Sequence, residues 1–238
     1  QILFDVSFDI PAGQNIAVVG HSGSGKSTLA RLLFRFYDVQ SGCILINDQD
    51  IRDVTQQSLR SAMGIVPQDT VLFNDSIYYN IAYGRPDATA DEVYAAARSA
   101  HIDDFIESLP DKYATIVGER GLKLSGGEKQ RVAIARTILK NPVMLIFDEA
   151  TSALDSHSEK RIQVELKRIA RNRTTLTIAH RLSTIADADQ ILVMDHGRII
   201  ERGTHQQLLA MNDQYARMWE LQRQQEIDQN PPLNLTAG

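Results

Sequence analysis

Cysteine is almost missing from this chain: Cys43 is the only one in 238 residues. That excludes an internal disulfide and a cysteine-built metal site, and Cys43 itself reads as a small, partly buried side chain. No run approaches 18 consecutive apolar residues, so this stretch does not cross a bilayer by itself. The first residues read as a strand, not as a secretory signal. Positive charge is not in excess either. A formal net charge of -5 gives no case for nucleic-acid binding, and Lys167-Arg168 and Arg171 to Arg173 read as helix surface. No internal repeat is apparent. His101, His157, His196 and His205 lack ligand spacing to one another and read as surface groups. The length allows one sizeable core, or a core with a smaller lobe. Gln1 and the pattern Ile2 to Ile10, which starts midway, predict a piece of something longer.

What is present is a complete phosphate-binding loop, Gly20-His21-Ser22-Gly23-Ser24-Gly25-Lys26-Ser27. It follows the buried-strand pattern Ile16-Ala17-Val18-Val19 and precedes the apolar-periodic Thr28-Leu29-Ala30-Arg31-Leu32-Leu33, which is the context such a loop needs. Glycines let successive N–H groups curl around a β-phosphate, and the helix N-terminus after Gly25 adds partial positive charge. Lys26 is expected to reach the β- and γ-phosphates and the Ser27 hydroxyl to ligate Mg²⁺. His21 holds a free loop position and reads as solvent-facing. A second pairing of glycines with a serine occurs at Leu124-Ser125-Gly126-Gly127-Glu128, ahead of a long helix that Asn141-Pro142 stops.

The rest of the chain fits around these loops. Residues 2 to 10 alternate as a strand, and Gly42 to Asp48 reads as another, so a small antiparallel sheet is expected beside the core. From Asp75 to about Leu109 the spacing of Ala90, Val93, Ala97 and Ile102 is helical, with Pro86 and Pro110 as punctuation. Val143 to Phe147 is nearly all apolar, as expected of a parallel strand covered on both faces. Further helix and strand patterns follow over Ser158 to Asn172, Thr174 to Ala179 and Ile191 to Asp195. Thr204 caps a final helix carrying Leu208, Leu209, Tyr215, Met218, Trp219 and Leu221, with Trp219 as a packing anchor. Beyond Gln229 the sequence reads as a disordered tail. The fold class is α/β: a P-loop NTPase core with a small antiparallel β subdomain and an inserted helical subdomain.

Asp148-Glu149 sits at the C-terminal end of the most apolar strand, where parallel sheets place ligand-handling groups. Asp148 is expected to hold Mg²⁺ and Glu149 to polarise an attacking water. His180 follows Thr175 to Ala179, emerges at the same sheet edge, and suits an N–H contact to a γ-phosphate.

With these motifs in this order, the chain resembles the nucleotide-binding domain of an ATP-binding cassette protein over residues 1 to 222, with 223 to 238 as helix end and tail. The resemblance implies that Gly20, Ser22, Gly23, Ser24, Gly25, Lys26, Ser27 and Thr28 bind ATP. Gln68 matches the lid glutamine that joins the Mg²⁺ shell with Ser27 and Asp148; Glu149, His180, Lys26 and Gln68 form the catalytic set. Ser125, Gly126, Gly127 and Glu128 match the family signature, which caps the γ-phosphate held by the opposite subunit. Ser152-Ala153-Leu154-Asp155 matches the loop crossing that interface. The helical lobe would span about 73 to 135. The implied partners are a second copy in a head-to-tail, ATP-dependent dimer and a transmembrane domain N-terminal to residue 1, which Val117 to Gly121 would touch.

The run Gly118 to Asp155 is most similar to half-size exporters of the mitochondrial iron-sulfur and heavy-metal-tolerance subgroup and their bacterial relatives. That implies cargo that is glutathione-linked, metal-related or iron-sulfur-related, and a place on the cytoplasmic face of a bacterial inner membrane or the matrix face of the mitochondrial one. Two alternatives belong to other classes: a cassette ATPase of DNA repair, chromosome structure or translation, and a non-hydrolysing nucleotide-binding module. The acidic balance disfavours the first, and the presence of Lys26, Ser125 and Glu149 disfavours the second. One family element is missing, the aromatic that stacks on adenine; it would lie before Gln1. Tyr37 and Phe4 read as packing residues instead of substitutes, so adenine affinity is expected to fall by roughly 1 to 3 kcal/mol.

Overall fold

A computed structural model describes residues 2–150, 156–179 and 181–229. In chain order the core elements are β1 (Asn15–Gly20), α1 (Lys26–Leu33), the short β2 (Leu45–Ile46) and β3 (Gln49–Asp50), α2 (Gln56–Ala62) and β4 (Met63–Val66). Four helices follow, α3 (Ile77–Ala82), α4 (Ala90–Ser99), α5 (Asp103–Glu107) and α6 (Gly126–Lys140). The chain then alternates through β5 (Met144–Asp148), α7 (Ser156–Ala170), β6 (Thr174–Ile178), β7 (Gln190–Asp195) and β8 (Arg198–Gly203) to α8 (His205–Met211) and α9 (Gln214–Gln229). Thr55, Ser76, Thr89, Ser125 and Thr204 each cap a helix by accepting a backbone N–H.

The six-stranded sheet runs β4-β5-β6-β1-β7-β8, parallel throughout except for the antiparallel edge strand β8. Period-two alternation sorts each strand between two faces. Ile16, Val18, Ile146, Leu176, Ile178 and Leu192 pack with Leu29 and Leu33 of α1 and Leu59 of α2. On the other face, Leu145 and Phe147 join the cluster formed with α3 to α7. Ala17, Val19, Ile191 and Val193 meet Leu208 and Tyr215 of α8 and α9 there. Covered on both sides, β5 can be almost wholly apolar.

Several expectations change. The small antiparallel sheet is only β2 against β3, closed by Asn47 and Asp48, both at positive φ, as a two-residue hairpin turn of the primed type requires. Residues 2 to 10 are not a strand. Val6, Phe8 and Ile10 do pack on the core, but Asp5 at φ 52 breaks the extended run before a ladder forms. The final helix is two helices, because Asn212 takes the left-handed conformation and ends α8. Cys43 is exposed, and Tyr37 is 64% exposed, so it packs in no core. His205 is not a bare surface group: its Nδ1 lies 2.7 Å from the Tyr215 hydroxyl and its ring 4.5 Å from that of Trp219, which is itself packed on the core as expected. The expected tail lies outside the described residues.

Candidate functional site

The two most extreme backbone demands near β1 come from Gly20 and Gly25. A Cβ on Gly20 would stand 2.1 Å from the Met194 carbonyl oxygen, and one on Gly25, at φ 105, would stand 2.5 Å from the Leu3 side chain. Only glycine lets the loop turn that tightly against β7 and the N-terminal segment. The Gly197 N–H donates to the Ser24 carbonyl at 3.1 Å and fixes the loop from outside.

Lys26 opens α1 and is only 7% exposed. Its ammonium donates to the carbonyls of Gly20 (2.8 Å) and His21 (2.9 Å) and lies 3.5 Å from the Ser24 hydroxyl. Burial pushes the Lys26 pKa below the usual lysine range, while Glu149 and Asp148 pull against that shift. His21 is exposed, as expected, although its Nε2 accepts from the Gln214 amide at 3.0 Å.

At the end of β5 the two carboxylates separate. The Glu149 N–H donates to Ile178 at 2.9 Å, and Glu149 sits at φ 49, a strained conformation for a non-glycine residue. This turn brings Glu149 to the same cleft as Ser22, Gly23, Gly25, Lys26, Ser27, Thr28 and Gln68. Arg181, next in sequence to His180, also lines that cleft, whose volume is about 1420 Å³. Asp148, the residue before Glu149, is half-buried, and its Oδ1 is buried with no hydrogen-bond partner among the described residues. Burial, then the neighbouring Glu149, push the Asp148 carboxyl above its ordinary pKa, against Arg31 and Lys26.

A buried carboxylate oxygen with no hydrogen-bond partner among the described residues, together with the serine hydroxyl and glutamine amide that line the cleft, is a hard-oxygen donor set, which fits Mg²⁺. Among the described residues no cluster of three or more His, Cys, Asp or Glu offers another metal site. One prediction separates cost from use. A carboxyl with a raised folded pKa costs stability as pH climbs from the ordinary carboxylate range through that raised value. Asp148→Asn is therefore expected to raise the melting temperature in metal-free, nucleotide-free buffer while weakening Mg²⁺-dependent ATP binding. Calorimetry and ATP titration check the two halves; a lowered melting temperature would contradict the burial argument.

Ser125 caps α6, accepting from the Glu128 N–H at 3.3 Å, and the Glu128 carboxylate accepts from the Ser125 N–H at 2.6 Å. This capping box leaves Glu128 engaged within its own helix start. Ser125, Gly126 and Gly127 do not line the cleft that holds Lys26. His180 and Ser152-Ala153-Leu154-Asp155 lie outside the described residues.

Two contributions were not legible in the sequence. Gln130, 1% exposed on α6, donates to the Pro67 carbonyl at 3.0 Å and so anchors the turn that carries Gln68. Thr137 on the same helix donates to Ile65 at 3.1 Å. Gln130 and Thr137 stand seven residues apart on the buried face of α6, and polar residues among its apolar positions were the available signal.

The family described as "ABC transporter" matches residues 3–152. An ATM1-type heavy metal exporter of Novosphingobium aromaticivorans is 63% identical over 219 residues, 92% of this chain and 36% of that protein. The human ATP-binding cassette sub-family B member 6 is 62% identical over 226 residues, 95% of this chain and 27% of that protein. Among solved structures, a bacterial Atm1-family ABC exporter with ATP bound superposes with a TM-score of 0.90 at 62% identity, covering 93% of this chain and 39% of that one. The chain thus spans about a third of the length of the relatives it matches. Among the described residues no helix is long and apolar enough to cross a membrane.

Proposed function

Since the chain belongs to the ABC transporter family, we propose that it is the ATP-hydrolysing engine of an exporter, coupling ATP-driven pairing of two such domains to movement of cargo across a membrane. The observation that carries this reading is the single cleft lined by Lys26, Ser27, Gln68 and Glu149, next in the chain to Asp148, whose buried Oδ1 has no hydrogen-bond partner among the described residues. Glycine N–H groups of residues 20 to 25 and the start of α1 hold the phosphates. Lys26 leaves its two loop carbonyls to neutralise the β- and γ-phosphate oxygens, and His180 adds a donor to the γ-phosphate. Ser27, Asp148 and Gln68 would hold Mg²⁺, which when bound would supply positive charge against the charge developing on the phosphates. Glu149, fixed by its strained backbone, orients the water for in-line attack on the γ-phosphorus. Ser125, Gly126 and Gly127 serve the γ-phosphate of the second copy, with Glu128 keeping the Ser125 cap in place.

The names of the relatives favour metal-related or glutathione-linked cargo, and they lend no support to the non-transport alternative. The missing two thirds of the relatives' length would supply the transmembrane domain and the cargo site. Val117 to Gly121 would face that domain; beside them Ile116 and Leu122 are exposed, and Phe73, Tyr79 and Tyr83 form an exposed aromatic cluster with centroids 4.5 to 6.3 Å apart. The expected setting is the cytoplasmic face of a bacterial inner membrane or the matrix face of a mitochondrial one.

The test is ATP hydrolysis by the full-length protein in lipid vesicles. Mg²⁺-dependent turnover, abolished together with ATP binding by Lys26→Ala, is the expected result. Turnover indifferent to Lys26→Ala would overturn the assignment of the site.

A further inference from the structure

The C-terminal helix α9 does more than cover the sheet. Tyr215 in its first turn is fully buried among Ala17, Val19, Leu182 and Val193, and its N–H lies 3.3 Å from both oxygens of the buried Glu201 carboxylate. Met218 and Trp219 pack on the same cluster. Anchored this firmly, α9 directs two glutamines at the loops around the cleft. Gln214 donates to His21 of the phosphate loop. Eight residues later, about 12 Å along the helix, Gln222 accepts the Leu182 N–H at 2.8 Å.

Leu182 is two residues beyond His180 and directly follows Arg181, which lines the cleft. Leu182 to Thr184 form a single 3₁₀ turn whose cap residue, Arg181, makes no side-chain capping bond. The first N–H groups of any such turn lack an internal acceptor, and here Gln222 supplies one from another element. On the near side, Ala179 N–H is fixed to the Val18 carbonyl at 3.2 Å. The described residues on either side of position 180 are thus each tied down, Ala179 to the central strand β1 and Leu182 to Gln222.

We propose that Gln222 is a positioning residue for ATP hydrolysis: by holding the Leu182 amide it sets where Arg181, which lines the cleft, stands toward the bound triphosphate. The proposal rests on the reading of the cleft as the ATP site. Displacement of a phosphate-contacting group by a fraction of an ångström slows the reaction without weakening most ground-state contacts. The Leu182 side chain is itself fully buried, so the competing view is that core packing alone fixes this turn and Gln222 only docks α9.

In the full-length protein, Gln222→Leu removes the acceptor at similar size, Gln222→Asn withdraws it by one methylene, and Gln222→Glu keeps an acceptor oxygen. The expected result is a fall in kcat of about tenfold for Gln222→Leu and Gln222→Asn, with KM within about twofold of the parent, near-parent kcat for Gln222→Glu, and little change in melting temperature for any of them. Parent-like kcat in Gln222→Leu or Gln222→Asn would overturn the inference. So would a kcat loss in Gln222→Glu equal to that of the other two, or a loss that tracks melting temperature across the series. Lys26→Ala, assayed alongside for ATP binding, keeps the two ideas apart. If it binds ATP normally the site reading fails, whereas lost binding with an unaffected Gln222→Leu removes only the role of Gln222.

Discussion

Glu149→Gln in the full-length protein is expected to lower ATP turnover by about 10²- to 10⁴-fold, the usual contribution of a positioned general base, while ATP still binds. The amide keeps the size of the side chain and one acceptor oxygen but cannot take a proton from water. It also removes the negative charge that lies beside Asp148 and raises the pKa of that group, so Mg²⁺ binding is not expected to suffer. The backbone argument points the same way. A residue held at φ 49 at a strand end costs stability of order 1 to 3 kcal/mol, and here the strained turn delivers a carboxylate into a cleft. Single-turnover hydrolysis and equilibrium nucleotide binding, measured on one preparation, separate the outcomes. Lost binding would mean that Glu149 serves the fold or the metal, and retained turnover would remove it from the reaction.

The second large effect concerns the second glycine-rich loop, Ser125 to Gly127. Because Ser125 to Gly127 do not line the cleft around Lys26 within one copy, two copies related by a twofold axis would each complete the other's site. Full-length subunits carrying Lys26→Ala and subunits carrying Ser125→Arg are each expected to be nearly inactive. Mixed, they form dimers in which one site carries both lesions and the other neither. With random pairing and independent sites, activity should return to about a quarter of the parent's. Mixtures no more active than the single mutants would mean either strictly coupled sites or no sharing. A Glu149→Gln dimer trapped with ATP then decides: a Ser125 hydroxyl within about 3 Å of the partner-held γ-phosphate is expected, and a distant one would leave α6 with a cap that serves only itself.

The sequence was most informative where one residue type is compulsory. Gly20 and Gly25 sit where any Cβ would collide, and the apolar run of β5 can exist only between two covered faces. Such demands leave a local trace, so the α/β core, the phosphate loop and the carboxylate pair could be read directly. What escaped was set by distant partners. Gln130 and Gln222 look like ordinary helical glutamines until Pro67 and Leu182 are brought beside them. Likewise, nothing in the alternation of residues 2 to 10 announces that Asp5 will break the ladder. The division of the last helix had a faint signal in Asn212, a residue that tolerates the left-handed conformation, but the periodicity running across it was the louder one.

The placement of β1 at the centre of the sheet has a consequence for how the protein is made. Its ladder partners are β6 and β7, and the Asn15 side-chain oxygen accepts a hydrogen bond from the Thr177 hydroxyl, 162 positions along the chain. A ribosome therefore releases the phosphate loop long before the strands that hold it in shape have been synthesised. Closing so long a span before any pairing energy is gained makes this step slow. Nascent chains that stop short of residue 195 should lack β7 and have no ordered loop to offer ATP, so nucleotide capture marks the end of synthesis of this domain and not its beginning.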